Sequence, residues 1–244
     1  MTQPEWVIFR PLNGGGRMDL PVPPIGFLES LSESDRKSFR AAAHPRRYRR
    51  GAVLFGEGDT SDWIALVLTG RVKLSSFTQD GREAVIGIAG HGELLGELSA
   101  VDGEPRSATA IAIDAVEALI VSAEDFTKFL ESRPGAAVLL LRTISTRLRD
   151  ADRKRVEFGA YDTVSRVART LLELVQRFPE AAEEGVDGVR ISLRLSQEEL
   201  AGMTGASREA VVKALRALRS RGWIETGRRQ ISVLDPTALA RRAR

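Results

Sequence analysis

The stretch SREAVVKALR at residues 207–216 decides the fold of the C-terminal part of this chain. At 3.6 residues per turn, its apolar side chains fall on one face of a helix and its charged side chains on the other. The apolar face continues to Leu218. The charged side chains are those of Arg208, Glu209, Lys213 and Arg216. The pattern predicts an amphipathic helix with a charged outer face.

A second helix start lies eleven residues upstream, at Ser196-Gln197-Glu198-Glu199. This sequence has the form of a capping box, in which Ser196 and Glu199 each bond the other's backbone N–H. Met203-Thr204-Gly205-Ala206 predicts a short turn between the two helices. Two such helices form a helix-turn-helix, whose second helix can enter the major groove of DNA. An ordinary helical hairpin with a solvated charged face is the alternative.

Residues 224–233, IETGRRQISV, predict two short strands around a turn. A helix-turn-helix followed by such a hairpin is the winged form of the motif, and the two arginines at the tip suit contacts to phosphate. The residues that we predict to face DNA are Ser196, Gln197, Ser207, Arg208, Glu209, Lys213, Arg228 and Arg229.

The charge distribution agrees with a nucleic-acid partner. Residues 190–244 contain 12 Lys and Arg against 5 Asp and Glu, a net charge of +7. Residues 1–189 contain 24 against 28, a net charge of −4, so the +3 of the whole chain conceals a basic C-terminal quarter. A basic module of this kind is the electrostatic footprint expected of a DNA-binding domain.

Composition excludes several other classes of protein. The 244 residues leave room for about two domains. No apolar run approaches the roughly 18–20 residues that cross a bilayer, so we expect a cytoplasmic protein. The absence of cysteine excludes disulfides, cysteine-ligated iron–sulfur clusters and cysteine zinc sites. His44 and His91 are too few for most metal sites, and we expect both in loops.

The N-terminal half contains two segments of different composition. Residues 1–24 are rich in proline and glycine and predict a flexible arm. From about residue 45 to 122, short apolar runs alternate with turn glycines, which is typical of an all-β sandwich or barrel. A jelly roll fits this length.

Residues 95–109, LGELSAVDGEPRSAT, interrupt the strand pattern. A short helical turn after Gly96 offers backbone N–H groups to an anion, and Arg106 can add a charge-assisted grip. Glu97 has acceptors for a sugar hydroxyl, and Ser107 has a hydroxyl for a phosphate oxygen. The stretch therefore suits a phosphate pocket, with an Arg–Glu pair that closes the loop as the structural alternative.

Gly96-Glu97-Leu98-Ser99 followed by Pro105-Arg106-Ser107-Ala108 resembles the phosphate-binding cassette of the cyclic-nucleotide-binding domain. With the downstream winged helix-turn-helix, the chain is similar over about residues 25–235 to the cyclic-AMP receptor protein/FNR family of bacterial transcription regulators. The resemblance implies that Gly96 and Glu97 meet the ribose of a cyclic nucleotide, most simply cyclic AMP. Arg106 and Ser107 would meet its cyclic phosphate.

The resemblance also implies an α+β architecture in four parts. These are a flexible arm at residues 1–24, a β-roll (a double-stranded β-helix or jelly roll) at 25–133, a long dimerisation helix at 134–160 and a winged helix-turn-helix domain at 161–244. The expected partners are double-stranded DNA with an inverted repeat, a second copy of the chain and RNA polymerase.

The long helix carries two series of residues seven apart, as a dimer seam does. One series is Leu141, Leu148 and Arg155, and the other is Ile144, Ala151 and Phe158. Gly159 is a candidate hinge. Residues 162–178 predict a further amphipathic helix, and residues 179–188 a polar, acidic loop.

Two positions depart from the family pattern. Where many cyclic-AMP-binding members have adjacent small hydroxyl residues that meet the adenine, this chain has Ala151 and Asp152. Ala151 offers no hydrogen bond, and an ionised Asp152 in a closed pocket is costly unless it is paired. In the DNA-facing helix, Lys213 replaces an arginine and lacks its planar fork of donors.

We therefore expect a DNA-binding transcription regulator that a cyclic nucleotide controls. The same fold with DNA binding independent of cyclic AMP, or with another ligand, is the alternative. A regulatory subunit of an enzyme or channel would not need the basic winged domain. No nucleophile–base–acid arrangement or metal-ligand spacing predicts an enzyme. Haem sensing would require His44 or His91 as a ligand.

Overall fold

A computed structural model of the chain describes residues 26–60, 62–79, 81–181 and 188–243. The predicted N-terminal arm lies outside these residues. The helices are α1 (Phe27–Ser30), α2 (Glu33–Ala41), α3 (Glu97–Asp102), α4 (Ala123–Ser132), α5 (Pro134–Ala160), α6 (Thr163–Arg177), α7 (Gln197–Thr204), α8 (Arg208–Arg219) and α9 (Pro236–Arg242). The strands are β1 (His44–Tyr48), β2 (Val53–Phe55), β3 (Trp63–Thr69), β4 (Val72–Phe77), β5 (Glu83–Ala89), β6 (Leu94–Leu95), β7 (Thr109–Ala112), β8 (Val116–Ser122), β9 (Pro179–Ala181), β10 (Val189–Ile191), β11 (Ile224–Gly227) and β12 (Gln230–Val233).

The first eight strands form two four-stranded antiparallel sheets. Their orders are β1-β8-β3-β6 and β2-β7-β4-β5, so most neighbours are distant in sequence. One apolar cluster joins the inner faces: Ala65 and Val67 of the first sheet pack with Val72 and Ala110 of the second. Two antiparallel sheets with a shared core form the predicted jelly-roll β-roll. The predicted fold class is confirmed.

Helices close one side of the β-roll. Phe27, Phe39, Phe126 and Phe129 contact one another edge to face, with ring centroids 5.4–6.4 Å apart. The same cluster contains Ala136 and Leu140 from the first turns of α5. The long helix is thereby fixed to the β-roll at its N-terminal end.

Helix α5 is 27 residues long, about 40 Å at 1.5 Å per residue. Pro134 occupies the start of the helix, where the missing N–H costs nothing. The helix continues through Gly159, the predicted hinge, and ends before Tyr161, whose backbone is extended. Asp162 then caps α6 by accepting from Ser165 N at 2.8 Å. The chain therefore turns at residues 161–162, close to Gly159, which stays a candidate hinge.

The C-terminal domain, α6 to α9 with β9 to β12, contains a four-stranded sheet in the order β11-β12-β10-β9. The predicted polar loop at residues 179–188 is wrong at its start, because Pro179–Ala181 form β9 and pair with β10. Three residues are too few to show the alternating pattern of a strand. Pairing with β10 is what makes this segment a strand.

The C-terminal domain packs directly on the β-roll. Val85 and Ile88 of β5 belong to the same apolar cluster as Leu200 and Val211. An ion pair stands at the edge of this contact: Lys73 Nζ is 2.8 Å from Glu83 Oε1 and 3.3 Å from Glu199 Oε1. Burial pushes the pKa of Lys73 down, but the hydrogen bonds and charges of the two carboxylates outweigh it and raise the pKa. The two parts thus share both an apolar core and a partly buried charge cluster.

Candidate functional site

The helix-turn-helix begins with the predicted capping box, which is confirmed. Ser196 Oγ accepts from Glu199 N at 3.1 Å, and Ser196 N donates to Glu199 Oε2 at 2.8 Å. Helix α7 extends to Thr204, so Met203 and Thr204 belong to the helix and not to the predicted turn. Gly205 ends α7 with a left-handed backbone, at φ 58°, which favours glycine.

Helix α8 presents the predicted charged face. Ser207 caps it by accepting from Ala210 N at 3.2 Å. Its own residues Val211, Ala214 and Leu218 are buried on the inner face of the helix. The outer surface is an open patch lined by Arg208, Glu209, Val212, Lys213 and Arg216.

The wing lies beside this helix. Strands β11 and β12 pair antiparallel, and both arginines at the tip are exposed. Arg229 adopts a left-handed backbone at φ 55°, a strained conformation for a residue other than glycine or asparagine. A cleft of about 520 Å³ separates the wing from α8, and it is lined by Ser196, Gln197, Arg216, Arg219, Arg228 and Arg229 among others.

The predicted phosphate cassette, residues 96–107, folds around the short helix α3. Gly96 precedes the helix with a left-handed backbone at φ 77°. A Cβ added there would come 1.8 Å from Arg106 Nη1, so glycine is required both by conformation and by the approach of the guanidinium.

Arg106 is buried, with 3% of its surface exposed. Nη1 donates to Gly96 O at 2.9 Å and Nη2 donates to Trp63 O. The guanidinium carbon lies 4.3 Å from the ring centroid of Phe55 and 5.1 Å from that of Trp63. Burial lowers the pKa of Arg106, and the charges of Asp62, Glu97 and Asp59 oppose this shift. Phe55 and Trp63 were not predicted, because no local pattern links them to residue 106.

The Nε donor of this guanidinium is unused. Among the residues that the structure describes, Arg106 Nε is buried and has no hydrogen-bond partner. An orphaned buried N–H costs free energy, which an anion at that position would relieve. The cassette therefore fits the phosphate of a nucleotide.

Glu97 is also buried, and its partner comes from α5. Arg147 Nη1 donates to Glu97 Oε1, and Arg147 Nη2 donates to Leu94 O at 2.8 Å. Glu97 thus forms an Arg–Glu pair, as the structural alternative expected, but its arginine is Arg147 of α5, outside the cassette loop. Arg147 lies one helical turn before Ala151, on a neighbouring part of the helix surface, and that spacing was the signal available in the sequence.

The other predicted ligand residues are spread more widely. Ser99 is buried and donates to Pro105 O at 3.3 Å, whereas Leu98 and Ser107 are exposed. Ala151 and Asp152 are exposed on α5. The structure therefore brings together Gly96, Glu97, Arg106 and Arg147, and leaves Ala151 and Asp152 exposed on the long helix.

The two histidines lie in different surroundings. His44 begins β1 and is not in a loop as predicted, and His91 lies beside Leu68 O and Glu29. Among the residues that the structure describes, no group of three or more His, Asp or Glu side chains could hold a metal ion. In the same residues, no helix is long and apolar enough to cross a membrane.

Comparisons with known proteins match both halves of this geometry. A model of the cyclic nucleotide-binding domain matches residues 45–133, and a model of the Crp-like helix-turn-helix domain matches residues 165–242. A CRP-like cAMP-activated global transcriptional regulator of Mycobacterium tuberculosis is 34% identical over 227 residues, which are 93% of this chain and 100% of that protein. The chain belongs to the CRP/FNR family of transcriptional regulators.

Two other regulators are similar to this chain over most of its length. The cyclic AMP receptor protein of Thermus thermophilus is 31% identical, over 80% of this chain and 85% of that protein. The structure of the c-di-GMP responsive global regulator CLP of Xanthomonas campestris has a TM-score of 0.73 at 27% identity, covering 83% of this chain and 99% of that one. The predicted membership of the CRP/FNR family is confirmed.

Proposed function

We propose that the chain is a homodimeric, cytoplasmic regulator that recognises an inverted DNA repeat through α8 and the wing. A cyclic nucleotide held by the cassette and α5 controls its DNA affinity, and cyclic AMP is the first candidate. The observation that carries the ligand proposal is Arg106, a buried guanidinium whose Nε has no partner among the described residues, beside the glycine-capped helix α3.

The DNA surface supports the first part of this proposal. Helix α8 is about 18 Å long at 1.5 Å per residue, exposes its charged face, and stands next to a basic cleft and wing. Arginine donates to guanine in the major groove, glutamate accepts from a cytosine amino group, and exposed wing arginines suit phosphate. We assign Arg208 and Glu209 to bases, Lys213 to a guanine, and Arg228 and Arg229 to phosphates.

The exposed stripe on α5 supports dimerisation. Val138, Leu141, Leu148 and Val156 are 46–63% exposed and lie on one face of the helix. Of the two predicted heptad series, Leu141, Leu148 and Arg155 are all exposed, as a seam requires, whereas the second series is exposed only at Ala151 and Phe158. Ile144 packs against the β-roll core of its own chain. A two-fold dimer through α5 places two copies of α8 on half-sites about 10–10.5 base pairs apart.

The second candidate function is DNA binding under another ligand or without any nucleotide. The observation that favours it is the pair Ala151 and Asp152 on α5, which offers adenine no hydroxyl group. Isothermal titration of the full-length protein with cyclic AMP and with cyclic GMP separates the two candidates. Saturable heat with cyclic AMP supports the first, and heat with neither nucleotide overturns it in favour of the second.

Selection of random duplexes on the protein tests the DNA part independently. Recovery of an inverted repeat is the expected result. A protein that remains monomeric at micromolar concentration with and without DNA, or that selects no sequence, would overturn the proposal.

A further inference from the structure

Across the helix-turn-helix, the first residue of α8 is paired with the first turn of α7. Arg208 Nε lies 3.0 Å from Glu198 Oε1. Both side chains are more than half exposed, at 58% and 62%. Glu198 also lines the cleft between α8 and the wing. A carboxylate therefore stands inside a surface whose other charges are mainly positive.

Folding does not require this carboxylate. An exposed ion pair contributes about 0–1 kcal/mol to stability. Glu199, and not Glu198, completes the capping box of α7. A negative charge beside the DNA surface instead weakens the attraction of every phosphate backbone, whatever its sequence. The effect of Glu198 on DNA binding therefore depends on its contact with Arg208.

Without a fixed partner, an arginine at this position can bind any phosphate within reach, and such a contact carries no sequence information. A carboxylate at Nε supplies that partner and restrains the guanidinium plane. Arginine has five N–H donors, so a contact at Nε leaves donors for the two acceptors of guanine.

We propose that Glu198 is a positioning residue that determines specificity: it holds Arg208 for contact with a base, lowering affinity for DNA in general and raising discrimination between sequences. The inference rests on the proposed DNA recognition through α8.

The test compares three variants by fluorescence anisotropy on the selected inverted repeat and on a random duplex. Glu198→Gln should bind the random duplex at least about twofold more tightly than the wild type does. Its preference for the repeat over the random duplex should fall by at least about fivefold. Glu198→Asp keeps the charge but shortens the side chain, so only its preference should fall. Glu225→Gln, which removes an exposed wing carboxylate, is the matched control and should keep the preference of the wild type.

The results of this test distinguish a failure of the positioning role from a failure of the proposed DNA recognition. A wild-type protein with no preference for any selected repeat overturns the proposed DNA recognition itself. A wild-type preference that Glu198→Gln and Glu198→Asp both retain overturns only the positioning role. In an Arg208→Ala background, Glu198→Gln should leave the remaining preference unchanged, and a further fall there would also overturn the role.

Discussion

At the scale of single residues, Arg106 has a proposed role in phosphate binding and a second role in the fold, and the sequence predicted only the first. Its charge suits a phosphate, but the guanidinium also bonds two carbonyl oxygens and stacks on Phe55 and Trp63. The short helix and the strand β3 are thus connected through one side chain. A substitution of Arg106 will affect folding as well as ligand binding.

We predict that Arg106→Leu lowers the free energy of unfolding by about 1–3 kcal/mol for each carbonyl left buried and unpaired. Urea denaturation without ligand measures this loss. Ser107→Ala removes only an exposed hydroxyl and is the control, which should unfold like the wild type. Equal stability of all three proteins would show that the contacts of Arg106 in the free protein do not support the fold.

The carboxyl of Glu173 on α6 should make the stability of the protein depend on pH. Its carboxyl is largely buried near Lys154 and Arg153, and burial raises its pKa above the ordinary value of 4.5 despite these cations. A carboxyl with a raised pKa binds its proton more tightly in the folded chain. Its contribution to stability is therefore present below pH 4.5 and is lost as pH rises through the folded pKa.

We predict that Glu173→Gln has a higher Tm than the wild type at pH 7, and that the difference closes as the pH falls toward 4. Thermal unfolding across this range measures it, with the exposed Glu131→Gln as control. A variant that is less stable at pH 7 would mean that the contact of Glu173 with Arg153, 3.5 Å long, outweighs the burial.

At the scale of elements, the parts with strong local signals were predicted well. The capping box, the charged helix α8 and the long helix each depend on residues within one or two turns, so sequence sufficed. Strand β9, the Arg147–Glu97 pair and the aromatic rings around Arg106 were missed. Each depends on partners far along the chain, whose positions only the folded topology fixes.

The exposed stripe of α5 leads to a prediction about assembly. Leu148→Glu places a charge in the middle of the proposed seam, where burial without a partner is costly, so the dimer should dissociate at micromolar concentration. Sedimentation velocity measures the change. Val101→Glu introduces the same charge at an exposed apolar position of α3, 57% exposed, and should leave the assembly intact. Dimers of equal stability in both variants would exclude this face of α5 as the seam.

At the scale of the whole molecule, Gly202 governs how closely the C-terminal domain approaches the β-roll. A Cβ at Gly202 would lie 2.7 Å from Glu83 O and 3.1 Å from the Val85 side chain. A Cβ at Gly159, also in a helix, would meet none of the described residues within 4 Å. The same chemical change should therefore have opposite effects at the two positions.

We predict that Gly159→Ala stabilises the protein by about 0.5–1 kcal/mol, because alanine favours a helix. Gly202→Ala should lower the Tm and speed amide exchange in β5, because the backbone of Glu83 must move away. Differential scanning calorimetry and hydrogen exchange measure both. If Gly202→Ala protected β5 as well as the wild type does, the contact between the two domains would not be the close one described.

The protein combines a cassette that fits a phosphate with a helix surface, at Ala151 and Asp152, that offers adenine no hydroxyl group. Ligand can change DNA affinity only through its different affinities for the two arrangements of the C-terminal domain. Much of that difference should arise where the base meets α5, at Ala151 and Asp152. The coupling should therefore fall short of the several kcal/mol that an all-or-none switch needs.

The most direct test is the affinity of the dimer for its selected repeat, measured with and without saturating cyclic AMP. We predict a change of between about twofold and hundredfold, which Arg106→Leu abolishes. An affinity that does not change would contradict control by this nucleotide. A change of about a hundredfold or more, lost in Arg106→Leu, would contradict the weakened contact with the base.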